Sequence, residues 1–191
     1  MQKLQHPAEK FLETVLYKGV EFDVVERPDV LWVGCVDYAK NNTDESDIGA
    51  TLKRFQGLVK EIADETRQLM CPDWSAAISI NYSRGDKPNG LMFANETWSA
   101  EQDARFDVFT QPGGLWLRVR AETKAATALF GKEQAEMWEY FAGPQAPLQC
   151  VAKANGYARN PDVHVVVEYH CHAEYATPPH TSYAYIPIVR T

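Results

Sequence analysis

The residues of this chain best suited to chemistry are Glu168, His170 and His172, which alternate at the end of the apolar run that begins at Val163. Alternate residues of a strand point to the same face, so this run predicts that the three side chains share one face of a sheet. A carboxylate in that position could hold a cation or act as a general acid or base. The two histidines, with Glu174, could bind a metal, but H-x-H is common by chance and no motif fixes a further ligand. We therefore centre the predicted site on Glu168 and assign no metal and no cofactor.

A short motif occurs twice and predicts that the chain is built from two similar halves. Arg27-Pro28-Asp29-Val30-Leu31-Trp32 returns as Gln111-Pro112-Gly113-Gly114-Leu115-Trp116, and a Pro-x-x-Leu-Trp core opens a strand each time. Each copy is followed by an amphipathic helical stretch and then by a β-type run that ends in a polar residue and a tyrosine, Asn81-Tyr82 or Glu168-Tyr169. Two copies of one unit usually face each other across a cleft, and here only the second copy contributes an acid.

The predicted elements give each half a β-α-β-β order, in residues 22–98 and 106–190. Helical spacing of apolar residues between Pro7 and Lys18 predicts a leading helix within residues 1–20. The other predicted elements are a strand around Trp32, a helix from Ile48 to near Pro72, a hairpin of 75–82 with 91–97, strands at 106–110 and around Trp116, a helix over 124–141, and a hairpin of 163–171 with 183–189. The fold class is α+β: a single domain, 1–191, whose duplicated units form a curved antiparallel sheet with helices on one face and a ligand cleft on the other.

Strand parity predicts which side chains reach the cleft. The apolar set of strand 163–169 is placed under the helices, which leaves Glu168 on the opposite face with Trp32 and Trp116. A sheet face left to water would normally carry Lys, Glu or Thr, so we interpret this face as an aromatic pocket with Glu168 on its floor. The plainer alternatives are a solvated strand residue at 168 and core packing for the tryptophans. The predicted ligand-binding residues are Trp32, Tyr38, Phe93, Trp98, Trp116, Glu168, His170, Tyr183 and Tyr185.

Composition excludes several classes of function. The chain has 191 residues, of which 45% are hydrophobic and 24% charged, as is usual for one globular domain. A formal net charge of −7 with no dense basic run argues against direct nucleic-acid binding. No apolar run is long enough for a membrane span, and no signal peptide is evident. The four scattered cysteines predict reduced thiols, so we expect a cytoplasmic protein.

The chain resembles the GyrI-like small-molecule-binding family, which is related to the effector-binding domains of AraC- and MerR-type regulators. The resemblance spans about Phe22 to Arg190 and rests on the paired β-α-β-β order, the Glu168-Tyr169 pair and the closing Tyr185-Ile186-Pro187-Ile188-Val189. It implies that Glu168 lies at the base of a pocket and contacts cationic or polar ligands. Some stand-alone members are hydrolases that open cyclopropane-bearing alkylating natural products. The chain departs from the family in its histidine-rich surroundings of Glu168 and in lacking a helix-turn-helix.

Two functions therefore remain in view at one predicted site. The first is a stand-alone binding protein that holds an amphipathic, cationic or aromatic small molecule, oriented by Glu168. The second is a hydrolase in which Glu168 activates water and Tyr38 or Tyr185 donates a hydrogen bond to the developing oxyanion. A third alternative is haem binding through His170 or His172. The expected partner is a small molecule, and a homodimer is left open.

Overall fold

The computed structural model describes residues 8–38, 47–171 and 182–191, and these residues form ten strands and four helices. The strands are β1 (Lys10–Tyr17), β2 (Val20–Arg27), β3 (Val30–Tyr38), β4 (Trp74–Ile80), β5 (Gly90–Thr97), β6 (Asp107–Gln111), β7 (Gly114–Ala121), β8 (Tyr157–Arg159), β9 (Val165–Cys171) and β10 (Ser182–Arg190). The helices are α1 (Ile48–Glu61), α2 (Asp64–Arg67), α3 (Thr123–Phe130) and α4 (Pro147–Ala154), and a 3-10 helix spans Met137–Tyr140. The predicted α+β class is confirmed. Within the described residues, no helix is long and apolar enough to cross a membrane.

The strands form one antiparallel sheet in the order β1-β2-β7-β10-β9-β4-β5-β3-β6, with β8 paired to β10 outside this path. From β2 to β6 the two halves of this order mirror each other about its centre, between β9 and β4. The corresponding strands are β2 and β6, β7 and β3, β10 and β5, and β9 and β4. The repeat in the sequence therefore has a counterpart in the topology. Each half also lends its first strand to the other, because β2 pairs with β7 and β6 pairs with β3.

Helices α1, α3 and α4 lie on one face of the sheet. Helix α1 packs on β3 and β5, where Phe55 contacts the cluster that contains Val33 and Cys35. Helices α3 and α4 pack at the other end, on β2, β7 and β10, where Leu148 joins the cluster that contains Val119. A continuous cross-strand row joins the two ends of this face: Cys35, Phe93, Ala77, Glu168, Ala184, Val119 and Phe22. The central strands β4 and β9 thus lie between two groups of helices.

The opposite face is the concave interior of a strongly curved sheet. Its side chains form one buried cluster drawn from strands β2 to β10, with Trp32, Trp116 and Tyr185 fully buried. Arg27 of β2 forms an ion pair with Glu96 of β5, although these strands are five positions apart in the sheet. In a flat sheet that separation would be about 24 Å, so only strong curvature can bring the two side chains together.

The predicted leading helix was wrong, because residues 10–17 form strand β1. This strand pairs with β2 through a tight turn in which Lys18 and Gly19 have φ values of 49° and 74°. Positive φ at both central residues is the geometry of a type I′ hairpin, and it favours glycine at the second. The apolar residues from Phe11 to Leu16 fit a helical period, but pairing with a buried neighbouring strand decides their structure.

The remaining predicted elements are confirmed with shorter helices. Both hairpins form, since β4 pairs with β5 and β9 pairs with β10. The first long helix ends at Glu61, and Asp47 caps its start by accepting a hydrogen bond of 2.9 Å from the amide of Ala50. The helix predicted over 124–141 ends at Phe130, because Gly131 takes a left-handed conformation with φ of 73°. The predicted turn around Pro178 and Pro179 lies outside the described residues.

Candidate functional site

Glu168 lies on the face of the sheet that carries the helices. Its neighbours in register are Ala77 of β4 and Ala184 of β10, and Ala184 belongs to the core beneath α3 and α4. Trp32 and Trp116 lie on the opposite, concave face. The prediction that Glu168 shares a face with these tryptophans was therefore wrong.

The error has a physical cause in the two-sided burial of β9. Val165, Val167 and Tyr169 form the more apolar set of this strand, and they point into the closed interior of the curved sheet. The less apolar set, which includes Glu168, occupies the helix face between the two helix groups, where covering is incomplete. The parity of β3 and β7 was predicted correctly, since Val33, Cys35, Leu117 and Val119 do lie beneath helices.

Small side chains flank Glu168 within the sheet. Ala77 and Ala184 flank it in register, and the next row on the same face pairs His170 with Ser75 on one side and Ser182 on the other. Ser75, Glu168 and His170 are all half-buried. On this face the central strands present Glu168 and His170 among alanine and serine side chains; we call this part of the surface the helix-face cleft.

The carboxyl group of Glu168 is desolvated and has no partner among the described residues. Burial is the main cause that raises its pKa to about 7, and the nearby negative charge of Glu136 raises it further. No hydrogen bond or ion pair joins it to any residue that the structure describes, whereas most buried carboxylates are paired. At neutral pH this group is thus divided between its acid and its carboxylate forms.

His170 is held in the floor by a hydrogen bond to its neighbour. Its Nδ1 lies 2.8 Å from Oγ of Ser182, so one ring nitrogen is engaged while the ring lines a cavity toward α1. His172, which belongs to both the metal and the haem alternatives, and Glu174, which belongs to the metal alternative, lie outside the described residues. The described residues contain no group of three metal-ligating side chains.

A cavity of about 440 Å³ opens between α1 and the central strands. Its α1 wall is largely apolar, with Leu52, Phe55 and Val59, and Phe93 adds an aromatic ring from the floor. The polar side chains that line it are Gln56 of α1, Asp64 and Arg67 of α2, and Ser75, Asn95 and His170 of the strands. An apolar body with a few polar anchors is the usual composition of a small-molecule site.

On the other side of the His170–Ser182 pair lies a second cavity, of about 610 Å³, beside α3 and the 3-10 helix. Ser182 lines it together with three acidic side chains, Glu122, Glu133 and Glu136. No lysine or arginine is among the described residues that line this cavity. The helix-face cleft thus has an apolar wall toward α1 and an acidic wall toward α3.

Of the nine predicted ligand-binding residues, three lie on the helix face, Glu168, His170 and Phe93, and two of these, His170 and Phe93, line the α1-side cavity. Trp32, Trp116, Tyr183 and Tyr185 are buried on the other face, where Trp32 donates a hydrogen bond of 3.0 Å to Gln111 and Tyr185 one of 2.9 Å to Glu9.

Tyr38 and Trp98 lie apart from both groups. Tyr38 is 46% exposed at the end of β3, on the face opposite Glu168, and Trp98 is 65% exposed after β5. Neither Tyr38 nor Tyr185 is therefore placed to assist Glu168, which corrects the predicted hydrogen-bond donors of the hydrolase mechanism.

The predicted site leaves out two groups of buried charged residues. Arg67, which lines the α1-side cavity, is only 3% exposed and lies on a four-residue helix that no periodicity could reveal. The interior of the sheet contains Glu9, Arg27, Glu96 and Arg118, joined by ion pairs. Arg27 follows Val25 by two residues in β2, and Arg118 follows Trp116 by two residues in β7. Residues two apart in a strand share a face, so this spacing was the available signal that both arginines point into the interior.

The comparisons with known proteins identify the fold alone. No protein-family model matches this chain, and no curated protein matches it. Solved structures do match. SAV2435, determined with bound tetraphenylphosphonium, is 11% identical, with a TM-score of 0.55 over 88% of this chain and 94% of that one. The EcmrR C-terminal domain is 9% identical, with a TM-score of 0.50 over 90% and 99% of the two chains.

A third neighbour is a hydrolase from Listeria innocua, 8% identical, with a TM-score of 0.50 over 88% of this chain and 91% of that one. These neighbours share the overall architecture of this chain. Identities this low establish a common architecture, and the function has to be argued from the residues of the cleft.

Proposed function

We propose that this protein binds an amphipathic, cationic small molecule in the helix-face cleft, with Glu168 as the anionic group on its floor. The observation that carries the proposal is the unpaired, desolvated carboxyl of Glu168 between two alanines. Leaving a carboxylate buried without a counter-charge is unfavourable, and a bound cation would remove that cost. A cation would also lower the pKa of Glu168 and favour its charged form.

The walls of the cleft support an amphipathic ligand. The cavity of about 440 Å³ on the α1 side lies within the usual range for small-molecule sites, and Phe55 and Phe93 supply apolar area there. The acidic side chains of the other cavity attract positive charge, and ring faces do so as well. A protein of the same fold binds tetraphenylphosphonium, which is a cation with four aromatic rings.

The test is a calorimetric titration of tetraphenylphosphonium into the wild-type protein and two variants at pH 8. Glu168→Gln keeps the size of the side chain and removes its charge, so we expect the affinity to fall at least tenfold. Glu101→Gln makes the same change in net charge at an exposed acid outside the cleft, and its affinity should equal that of the wild type. Equal affinities for the wild type and Glu168→Gln would refute the role of Glu168.

A second candidate function is hydrolysis of an electrophilic small molecule, such as a cyclopropanoid, in the same cleft. It is favoured by the pKa of about 7 at Glu168, since a general acid or base works best when its pKa lies near the operating pH. Incubation with a cyclopropanoid electrophile should then give ring-opened product that Glu168→Gln does not form. Product formed by this variant at the wild-type rate would exclude that chemistry for Glu168.

A further inference from the structure

Arg67 is a buried cation in the wall of the α1-side cavity, and nothing in the predicted site accounts for it. The residue ends helix α2 and is 3% exposed. Its backbone carbonyl accepts a hydrogen bond of 2.7 Å from Thr97, which fixes its position against the end of β5. Asp64, Asn95 and His170 line the same cavity.

Both terminal nitrogens of the Arg67 guanidinium group have partners, but not all of its N–H donors are used. One terminal nitrogen donates to Oδ1 of Asn95 at 2.7 Å, and the other forms an ion pair with Asp64. The Nε–H is buried and has no acceptor among the described residues. A guanidinium has five N–H donors, and the described contacts engage two of its three nitrogens. The side chain of Asp64 is half exposed, whereas that of Arg67 is 4% exposed. Solvent therefore screens the carboxylate of Asp64, and its attraction for the buried positive charge of Arg67 is weakened.

The position of Arg67 relative to Glu168 follows from the register of the strands. Arg67 is bonded to Asn95 of β5, and β5 is separated from β9 by β4 alone. Two strand spacings make the separation of these anchors on the order of 10 Å. Arg67 thus lines the cavity, and the unpaired acid Glu168 lies beside it, next in register to the lining residue Ala77.

We propose that the ligand carries, besides its cationic centre, an acceptor oxygen on the order of 10 Å away that binds to Arg67. The oxygen belongs to a carboxylate or a carbonyl, since an oriented guanidinium recognises both groups and binds a carboxylate more strongly. The ligand class is therefore a dipolar amphiphile, with its apolar body against α1. This inference rests on the proposed function, because it takes Glu168 as the anchor of the cation.

The experiment compares two phosphonium probes of matched length on the wild-type protein. One is (carboxyheptyl)triphenylphosphonium, whose chain can span the separation, and the other is octyltriphenylphosphonium, which lacks the oxygens. We expect the carboxylate probe to bind about tenfold more tightly. A short carboxyethyl analogue should show no such gain, because its carboxylate would lie near Glu168 and be repelled.

Variants assign any gain to Arg67. In Arg67→Gln the two long probes should bind equally, and Arg67→Lys, which keeps the charge but not the planar fork, should retain only part of the preference. Arg84→Gln, at an arginine on the 83–90 turn, should behave as the wild type. The comparison of probes on the wild-type protein decides the matter even if Arg67→Gln fails to fold.

Each outcome is decisive. Equal binding of the two long probes by the wild-type protein would overturn the inference and leave the proposed function standing, since both probes carry the cation. A preference for the carboxylate probe that persists in Arg67→Gln would also overturn it. Binding of neither phosphonium would refute the proposed function and this inference together.

Discussion

Glu168 combines features that rarely occur together in a side chain whose role is only structural. It is half-buried between two alanines, its pKa is raised to about 7, and no described residue neutralises it. Burial without a partner costs folding free energy, and a site can accept that cost when a ligand later supplies the missing charge. At the scale of single residues, this combination is the main support for the proposed site among the described residues.

The first prediction concerns stability as a function of pH. The folded protein holds the proton of Glu168 up to about pH 7, whereas the ordinary pKa is 4.5. The favourable contribution of the protonated form is therefore fully present below pH 4.5 and is lost as the pH rises through 7. Urea denaturation from pH 4.5 to 8.5 should show the wild type losing about 2 kcal/mol relative to Glu168→Gln, after allowance for the partial exposure of the side chain. A difference between the two proteins that does not change with pH would contradict the shifted pKa.

The second prediction concerns proton release on binding. A cation that binds beside Glu168 favours the carboxylate, so tetraphenylphosphonium should displace a fraction of a proton at pH 7 and bind more tightly at pH 8 than at pH 6. Calorimetry in two buffers of different ionisation enthalpy measures this release directly. Glu101→Gln should release as much proton as the wild type, and Glu168→Gln should release none. Release by Glu168→Gln would assign the proton to another group.

At the scale of elements, close packing between strands leaves little tolerance. Gly34 lies in the middle of β3, opposite Ala94 of β5, and a Cβ placed on it would lie 2.0 Å from the backbone oxygen of Phe93. No side-chain rotation can relieve a clash with backbone. The glycine is therefore needed for the pairing that positions Phe93 in the cleft.

The third prediction follows from this contact. Gly34→Ala should lower the free energy of unfolding by about 3 kcal/mol or more, because β3 and β5 would have to separate. Gly57→Ala is the matched control, since Gly57 lies inside α1 with nothing within 4 Å of the added methyl, and it should stabilise the protein by about 0.5–1 kcal/mol. Thermal melts of the two variants would measure both effects. Equal melting temperatures would show that the strands adapt to the extra methyl group.

The limits of sequence reasoning are also clearest at this scale. The repeated Pro-x-x-Leu-Trp motif predicted two similar halves, and the turn-rich stretches predicted both hairpins. Strand parity predicted the faces of β3 and β7, because in those strands one face is plainly more apolar. The faces of β9 could not be assigned in this way, since the helix groups cover one face and the curvature of the sheet encloses the other. The sequence singles out Glu168 as a candidate, but the face of the sheet on which it lies depends on long-range curvature that no local pattern encodes. Arg67 was missed because its burial comes from contacts with Asn95 and Thr97, both distant in sequence.

At the scale of the whole molecule, the exchange of strands between the halves makes them interdependent. Strand β2 belongs to the first half in sequence and to the second half in pairing, and β6 does the reverse. The cleft lies where the two halves meet, on β4 and β9. Its shape therefore depends on the closed interior on the other side of the same strands, which holds the ion pairs of Arg27 with Glu96 and Glu9.

The last prediction tests that dependence at the ion pair that spans the interior. Arg27 is 2% exposed and Glu96 is fully buried, so Arg27→Met leaves a buried carboxylate with less compensation and should cost about 3–5 kcal/mol. Adding Glu96→Leu removes the stranded charge, and the double variant should regain much of the loss, because apolar replacements often substitute well for a buried pair. Lys10→Met removes one partner of an exposed pair with Glu26 and should change stability little. Urea denaturation would give all three values, and tetraphenylphosphonium titration of the double variant would show whether the cleft survives. A single Arg27→Met variant as stable as the wild type would mean that the curvature of the sheet is maintained by its aromatic packing alone.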